Sequence, residues 1–254
     1  MNVVCDIDGV VYRGDSLIEG SDTALQQVVD AGIGLFFATN NSTRTPSEVR
    51  ERIIRISGVD VPVASIVNSS QAAAHLLAGG ETTVLVFGSD AIRQAMDEAA
   101  IPMTEAPDHA EAVVVGLDWE FDYQKLSGAV EAVRRGARFI ATNTDPTFPV
   151  AGGLLPGSGA MVAAVATASG VQPEVAGKPH RPMREVLRAR GIGPAWVIGD
   201  RIDTDVALAA REDDWRSILV LSGVTDEDTD GAADYVVTNL AAAIDLVLDA
   251  DLPQ

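Results

Sequence analysis

Two aspartates two positions apart, Asp6 and Asp8, close the short apolar run Val3-Val4-Cys5 and are followed at once by Gly9. Setting both carboxylates at the end of a buried strand is costly in desolvation, and Gly9 lets the backbone turn away immediately afterwards. A hard divalent cation offsets that cost, because oxygen ligands and the ion neutralise each other where an unpaired carboxylate pair would repel. Asp and Glu number 37 among 254 residues, so an Asp-x-Asp triplet alone has little weight. Its position between a strand and a glycine turn, and its partners downstream, give it meaning.

Those partners are recognisable by type. Lys178 stands in Gly177-Lys178-Pro179, ahead of a helix expected from Pro182, where a lysine, backbone donors and the helix dipole suit an anion. Its scarcity argues for a specific role: of 18 lysines and arginines, only Lys125 and Lys178 are lysine. The run Gly199-Asp200-Arg201-Ile202-Asp203-Thr204-Asp205 packs three acids into a strand end and a helix start. Asp200, emerging beside a glycine, reads as a metal ligand, Asp205 as a group that fixes its neighbours, and Asp203 as a helix cap.

Three carboxylate positions with no cysteine or histidine pair suit Mg²⁺ far better than zinc, and lysine, threonine and asparagine suit a phosphoryl group. One of the paired aspartates can then attack phosphorus, since an acyl phosphate divides a hard hydrolysis into two easier steps. The other can protonate the leaving oxygen and then activate water.

The elements that must position these groups alternate between short apolar strands and amphipathic helical stretches, which predicts an α/β fold with mainly parallel pairing. Strands are expected at 3–7, 34–39, 83–87, 112–115, 138–142, 196–199, 217–221 and 235–238. Helices are expected at 21–31, 45–57, 70–78, 90–100, 123–135, 160–169, 182–190, 205–211 and 240–248. Thr45-Pro46-Ser47-Glu48 spells a capping box with proline at the first helical position. Three strands end on polar residues: one at Asp6 and Asp8, one at Thr39-Asn40-Asn41, one at Asp200. In an open parallel sheet ligands sit beyond the carboxyl ends of strands, so these three ends converge on one crevice.

An echo links Phe36-Phe37-Ala38-Thr39-Asn40-Asn41 with Phe139-Ile140-Ala141-Thr142-Asn143-Thr144. It reads as shared strand–helix grammar rather than duplication, and it makes the middle of the chain an α/β module in its own right. The glycine-rich run from Gly152 to Gly159 reads as a connection, since no Gly-x-x-x-x-Gly-Lys follows it.

A net charge of −19 argues against nucleic acid or an anionic membrane as a partner. No apolar run has membrane-spanning length, and the start lacks the basic flank and apolar stretch of a signal peptide, so a soluble, cytoplasmic protein is expected. The lone Cys5 reads as a small core residue. The acidic, lysine-poor composition is what adaptation to high salt would produce, and a GC-rich coding bias would also favour arginine over lysine.

Together, Asp6-Ile7-Asp8-Gly9-Val10-Val11-Tyr12-Arg13-Gly14, Thr39-Asn40-Asn41-Ser42, Gly177-Lys178-Pro179 and the 199–205 run resemble, in order, the four motifs of the haloacid dehalogenase superfamily. They are most similar to its NagD-like, 4-nitrophenylphosphatase and phosphoglycolate phosphatase branch. The likeness extends over essentially the whole chain, including Thr142-Asn143-Thr144-Asp145-Pro146 and Ser222-Gly223-Val224-Thr225.

The resemblance implies a Rossmann-like core, residues 1–80 and 173–254, interrupted by an α/β cap at 81–172 that selects substrate. It implies Asp6 as nucleophile and Mg²⁺ ligand, and Asp8 as the acid/base that also binds the ion through its main-chain carbonyl. Thr39, Asn40 and Asn41 would orient the phosphoryl oxygens, Lys178 would neutralise phosphate and nucleophile, Asp200 would ligate Mg²⁺, and Asp205 would support the metal shell. Asn143, Asp145 and Phe148 would belong to a cap specificity loop. The implied substrate is a small phosphorylated metabolite, and some family members form homodimers, sometimes through the cap.

One departure is visible. Relatives acting on pyridoxal phosphate carry Trp-His after Asn-x-Asp-Pro, whereas Thr147-Phe148 follows here, and Phe148 cannot donate the hydrogen bond of a histidine. Pyridoxal phosphate is therefore disfavoured. Two other functions share these residue types. A phosphoacceptor signalling module is disfavoured by the length, the middle insertion and the second carboxylate, for which a receiver has no use. A phosphomutase of the same superfamily stays open as the alternative among enzymes.

Overall fold

Asn2–Cys5 lies near the middle of a six-stranded parallel sheet whose spatial order is Tyr235–Val237, Trp215–Val220, Ala195–Gly199, Asn2–Cys5, Gly34–Thr39, Ile66–Asn68. The computed structural model describes residues 1–150, 153–225, 231 and 233–249, with the side chains of 148–150 left out. From the first strand the chain winds outward through Gly34–Thr39 to Ile66–Asn68, then returns to the other side at Ala195–Gly199. That reversal of direction creates the crevice at which ligands bind in such sheets. Cys5 pairs with Ile198 on one side and Phe37 on the other, so the three strands ending in the candidate residues stop side by side and nearly level.

Alternation sorts the central strands onto two cores. Val3, Cys5, Phe37, Trp196 and Ile198 face one apolar cluster, with Leu25, Ile53 and Ile244 from the helices Ser21–Asp30, Pro46–Ser57 and Leu240–Asp249. Val4, Ala38 and Val197 face the other, with Ala72, Ala73 and Leu77 from Ser69–Leu77 and Met183 and Leu187 from Arg181–Ala189. Fully buried side chains such as Leu25 and Ile53 are each worth about 1.5–3 kcal/mol relative to exposure. The capping box stands as expected: Thr45 Oγ1 accepts from Glu48 N at 3.2 Å, and Glu48 Oε2 accepts from Thr45 N at 2.8 Å.

Residues between 84 and 175 carry a second parallel sheet, in the order Glu174–Val175, Arg138–Ala141, Ala112–Val115, Val84–Phe87. Its Val84, Val86, Ala112, Val114 and Ile140 join the cluster that contains Val4 and Met183, so apolar packing runs without a break from one sheet to the other. Leu85, Phe87, Val113, Val115 and Phe139 face a third cluster on the opposite side.

Some elements differ from expectation. Ile66–Asn68 and Glu174–Val175 are strands of three and two residues, too short to display a period. The run from Gly152 to Gly159 is more than a connection. Gly153–Pro156 pairs antiparallel with Thr147–Val150, and Ser158 already begins the helix Ser158–Ser169. Every residue of Gly153–Pro156 is exposed, so no apolar alternation marks it. The helix expected at 205–211 is instead a π-helical turn, Ile202–Val206, leading into Ala207–Ala209. Such widened turns recur at functional sites.

Candidate active site

Asp6 is still in the sheet, its N–H donating to the Ile198 carbonyl at 2.8 Å, and the chain turns directly after it. The Ile7 carbonyl accepts from Val10 and Val11 at 3.2 and 2.9 Å, which folds Asp8 into a tight loop closed by Gly9 at φ 91°. Across the crevice, Lys178 Nζ lies 2.6 Å from Asp6 Oδ1 and 2.6 Å from Asp205 Oδ1, with its side chain only 3% exposed. The π-helical turn carries Asp205 back against the strand end, where its Oδ2 accepts from Arg201 N at 3.2 Å. Asp200 Oδ2 accepts from Val224 N at 2.6 Å, while its Oδ1 is buried with no hydrogen-bond partner among the described residues.

These groups perturb one another. Burial pushes the Asp6 carboxyl up, Lys178 pulls it back, and Asp205 and Asp200 push it up again. Burial and then the neighbouring Asp205 push Asp200 up to about 6. Burial works against the Lys178 ammonium, but the facing carboxylates of Asp205 and Asp6 outweigh it and raise its pKa. Asp8 is raised by burial, against the pull of Arg52 and a hydrogen bond from Asn41.

Asp6, Asp200 and Asp205 each offer an oxygen within 4.8 Å of the others. With all three acids ionised, three carboxylates against one ammonium leave two negative charges, which a single divalent cation would balance. The donor set is all oxygen, and the buried Asp200 Oδ1, which has no hydrogen-bond partner among the described residues, is an atom that a cation would satisfy. The residues therefore fit a hard divalent ion.

The loop after Gly34–Thr39 forms the wall opposite. Thr39 Oγ1 accepts from Asn41 N at 3.1 Å, and Asn41 Oδ1 accepts from Thr43 N and Oγ1 at 2.9 and 2.7 Å. Asn40 Oδ1 accepts from Lys178 N at 2.7 Å, and its Nδ2 lies 3.3 Å from the Lys178 carbonyl oxygen and from Asp145 Oδ2. Asn143 is a stitch within the protein: its Nδ2 donates to the Asn40 carbonyl at 2.6 Å and its Oδ1 accepts from Asp145 N at 3.1 Å. Burial raises the Asp145 carboxyl, with Arg201 opposing.

One cleft is lined by Asp6, Asp8, Thr39, Asn40, Asn41, Asn143, Asp145, Lys178, Asp200 and Asp205. The structure thus brings together all the expected site residues except Phe148, whose side chain lies outside the described residues. Asp203 requires correction. It is exposed and bound to the Arg201 side chain at 2.9 and 3.2 Å, because the turn begins at Ile202 and leaves Arg201 in the capping position. The other lysine, Lys125, pairs with the buried Asp118 at 2.9 Å and is absent from the cleft lining.

Sequence reasoning missed Arg201, Thr204, Leu117 and Ser158 in the lining. Leu117 was within reach: it follows Ala112–Val115, and the strand-end rule applies to the second sheet as well. Among the described residues no helix is long and apolar enough to cross a membrane.

Comparison with known proteins identifies the family and the fold. Residues 3–102 match the family model of haloacid dehalogenase-like hydrolases, and residues 175–243 match a second model of the same hydrolase type. The chain is 38% identical over 227 residues to D-glycerol 3-phosphate phosphatase of Mycobacterium tuberculosis, covering 87% of this chain and 63% of the length of that enzyme. It is 34% identical to the 5'-nucleotidase YutF of Bacillus subtilis, covering 88% of each. Among solved structures, a glycerol phosphate phosphatase of Mycobacterium tuberculosis in complex with magnesium superposes with a TM-score of 0.84 at 34% identity, covering 94% of this chain and 74% of that one. NagD from Escherichia coli K-12 superposes with a TM-score of 0.85 at 28% identity, covering 99% and 98%. With the acidic cleft and the relatives in agreement, the chain belongs to the haloacid dehalogenase-like hydrolases, as a phosphatase of the NagD-like branch.

Proposed function

We propose that this phosphatase is Mg²⁺-dependent and hydrolyses a small phosphate monoester, such as a sugar phosphate or nucleotide, through an aspartyl phosphate on Asp6. The observation that carries the reading is the buried Lys178 ammonium, 2.6 Å from both Asp6 and Asp205, beside the unpartnered oxygen of Asp200. Relatives named for glycerol phosphate, dihydroxyacetone phosphatase activity, acid sugar phosphatase activity and nucleotidase activity support the substrate class. A related structure in complex with magnesium supports the ion.

Asp6, Asp200 and the main-chain carbonyl of Asp8 would hold Mg²⁺, with Asp205 behind them. When bound, the ion supplies positive charge to the phosphoryl oxygens and the nucleophile. Lys178 screens the phosphoryl group from Asp6, while Thr39 and the loop through Asn40 and Asn41 orient its oxygens. An Asp6 carboxylate oxygen forms a bond to phosphorus as the ester P–O bond breaks, and Asp8 gives its proton to the departing oxygen. Asp8 then takes a proton from water, whose oxygen attacks phosphorus and releases phosphate and Asp6. Burial, which raises the Asp8 pKa, helps it keep the proton needed in the first step. Residues 1–80 and 173–254 would form the catalytic core and 81–172 the cap, with Asn143, Asp145 and Phe148 on its substrate-facing loop.

The test is phosphate release from sugar phosphates, nucleoside monophosphates, glycerol phosphates and phosphoglycolate, with and without Mg²⁺. Free phosphate matching substrate loss, and silence without the ion, support the reading. Substrate loss with the phosphoryl group recovered on a second hydroxyl contradicts it.

A further inference from the structure

The sequence assigns Asn40 to the phosphoryl oxygens, yet both ends of its side-chain amide are committed inside the protein. Its Oδ1 takes the N–H of Lys178 at 2.7 Å, and its Nδ2 faces the Lys178 carbonyl oxygen at 3.3 Å and Asp145 at 3.3 and 3.5 Å. A side chain that meets the N–H and the C=O of one residue grips its main chain on both sides, as a neighbouring strand would. The grip is close: a Cβ on Gly177 would collide with Asn40 Oδ1. Asn40 is itself pinned, its carbonyl accepting from Asn143 Nδ2 at 2.6 Å and Ser69 Oγ at 2.7 Å.

We propose that Asn40 is a positioning residue: by gripping the Lys178 main chain it sets the ammonium between Asp6 and Asp205. A lysine stem is long and flexible, so a 2.6 Å approach to two carboxylates at once demands a fixed starting point. Asn143, pinning Asn40, extends the same support from the second sheet.

With two lysines in the chain, protein labelled with ¹³C at lysine Cε gives two signals, and Lys125 serves as the internal control. Asn40→Ala is expected to shift or broaden the Lys178 signal while leaving that of Lys125 in place. Asn40→Ser, which keeps a single acceptor, does the same to a smaller degree and covers the case in which the alanine variant folds poorly. An unmoved Lys178 signal in both variants overturns the proposal. This readout needs no turnover, so it stands apart from the phosphatase reading, which wild-type hydrolysis of 4-nitrophenyl phosphate tests separately.

The kinetic arm rests on that reading. Asn40→Ala should lower kcat about 10- to 100-fold with KM within threefold, and in a Lys178→Met background the same substitution should change kcat less than twofold, because residues acting as a unit are non-additive. An equal loss in both backgrounds, or a loss expressed mainly in KM, would mean that Asn40 acts on the substrate or the fold rather than through Lys178.

Discussion

Replacing Lys178 with methionine keeps most of its volume and removes the one cation that separates Asp6 from Asp205. Both contacts are 2.6 Å long, and the three side chains are 3%, 10% and 2% exposed, so water cannot take over. Removing one partner of a buried ion pair costs about 3–5 kcal/mol. In a chain of 254 residues each kcal/mol lowers the melting temperature by roughly 2–4 °C. A fall on the order of 10 °C is therefore expected without metal. Mg²⁺ should restore more of that loss than it adds to the wild type, because the site then holds three uncompensated carboxylates instead of two net charges. Turnover should not return, since losing a preorganised charge on the reacting group costs about 10²- to 10³-fold. Thermal melts with and without Mg²⁺, beside steady-state hydrolysis of 4-nitrophenyl phosphate, measure both. A variant that turns over within threefold of wild type, or melts where wild type melts, would refute the reasoning.

Other outcomes follow from the same geometry. Asp6→Asn should lose turnover by at least about 10³-fold while its circular dichroism stays that of wild type; near-normal activity would require another nucleophile. EDTA should silence the enzyme and lower its melting temperature, and Mg²⁺ should reverse both; a melting temperature indifferent to chelation would deny the ion a place among the carboxylates. Away from the cleft, hydrogen bonds from Arg188 hold the Asp214 carboxyl below its ordinary range, so this pair stabilises the fold above the unfolded-state pKa and loses that contribution as pH falls through the folded-state pKa. Asp214→Asn should therefore lower the melting temperature most at pH 7 and by less and less as the pH is taken below the ordinary aspartate range, and a pH-independent difference would show the charge to be irrelevant.

Much of the site was legible because strand ends are legible. Apolar runs that stop on Asp6, Thr39 and Asp200 carry both the fold and the crevice in one pattern, and the structure sets those strands side by side. Lys178 was found by rarity, in a chain that otherwise uses arginine. What the pattern could not carry was the service each polar atom performs. Asn40 and Asn143 have the residue types of a substrate site, but Asn40 Oδ1 and Asn143 Nδ2 are spent on main-chain groups more than 100 positions away, and no local spacing encodes such contacts. Asp203 looks like a cap until the turn is known to start at Ile202. The exposed hairpin strand Gly153–Pro156 buries nothing, so hydrophobic periodicity had nothing to mark.

The central claim is that Asp6 itself takes the phosphoryl group. In an Asp8→Asn variant, 4-nitrophenyl phosphate should still transfer, because its leaving group needs no acid, whereas the later attack by water loses its base. Rapid acid quench of that variant after mixing with substrate, then reduction with tritiated borohydride and peptide mapping, should expel the phosphate and convert Asp6 to homoserine that carries the tritium label. Release of nitrophenol with no labelled peptide, or a label on any other residue, would contradict the account.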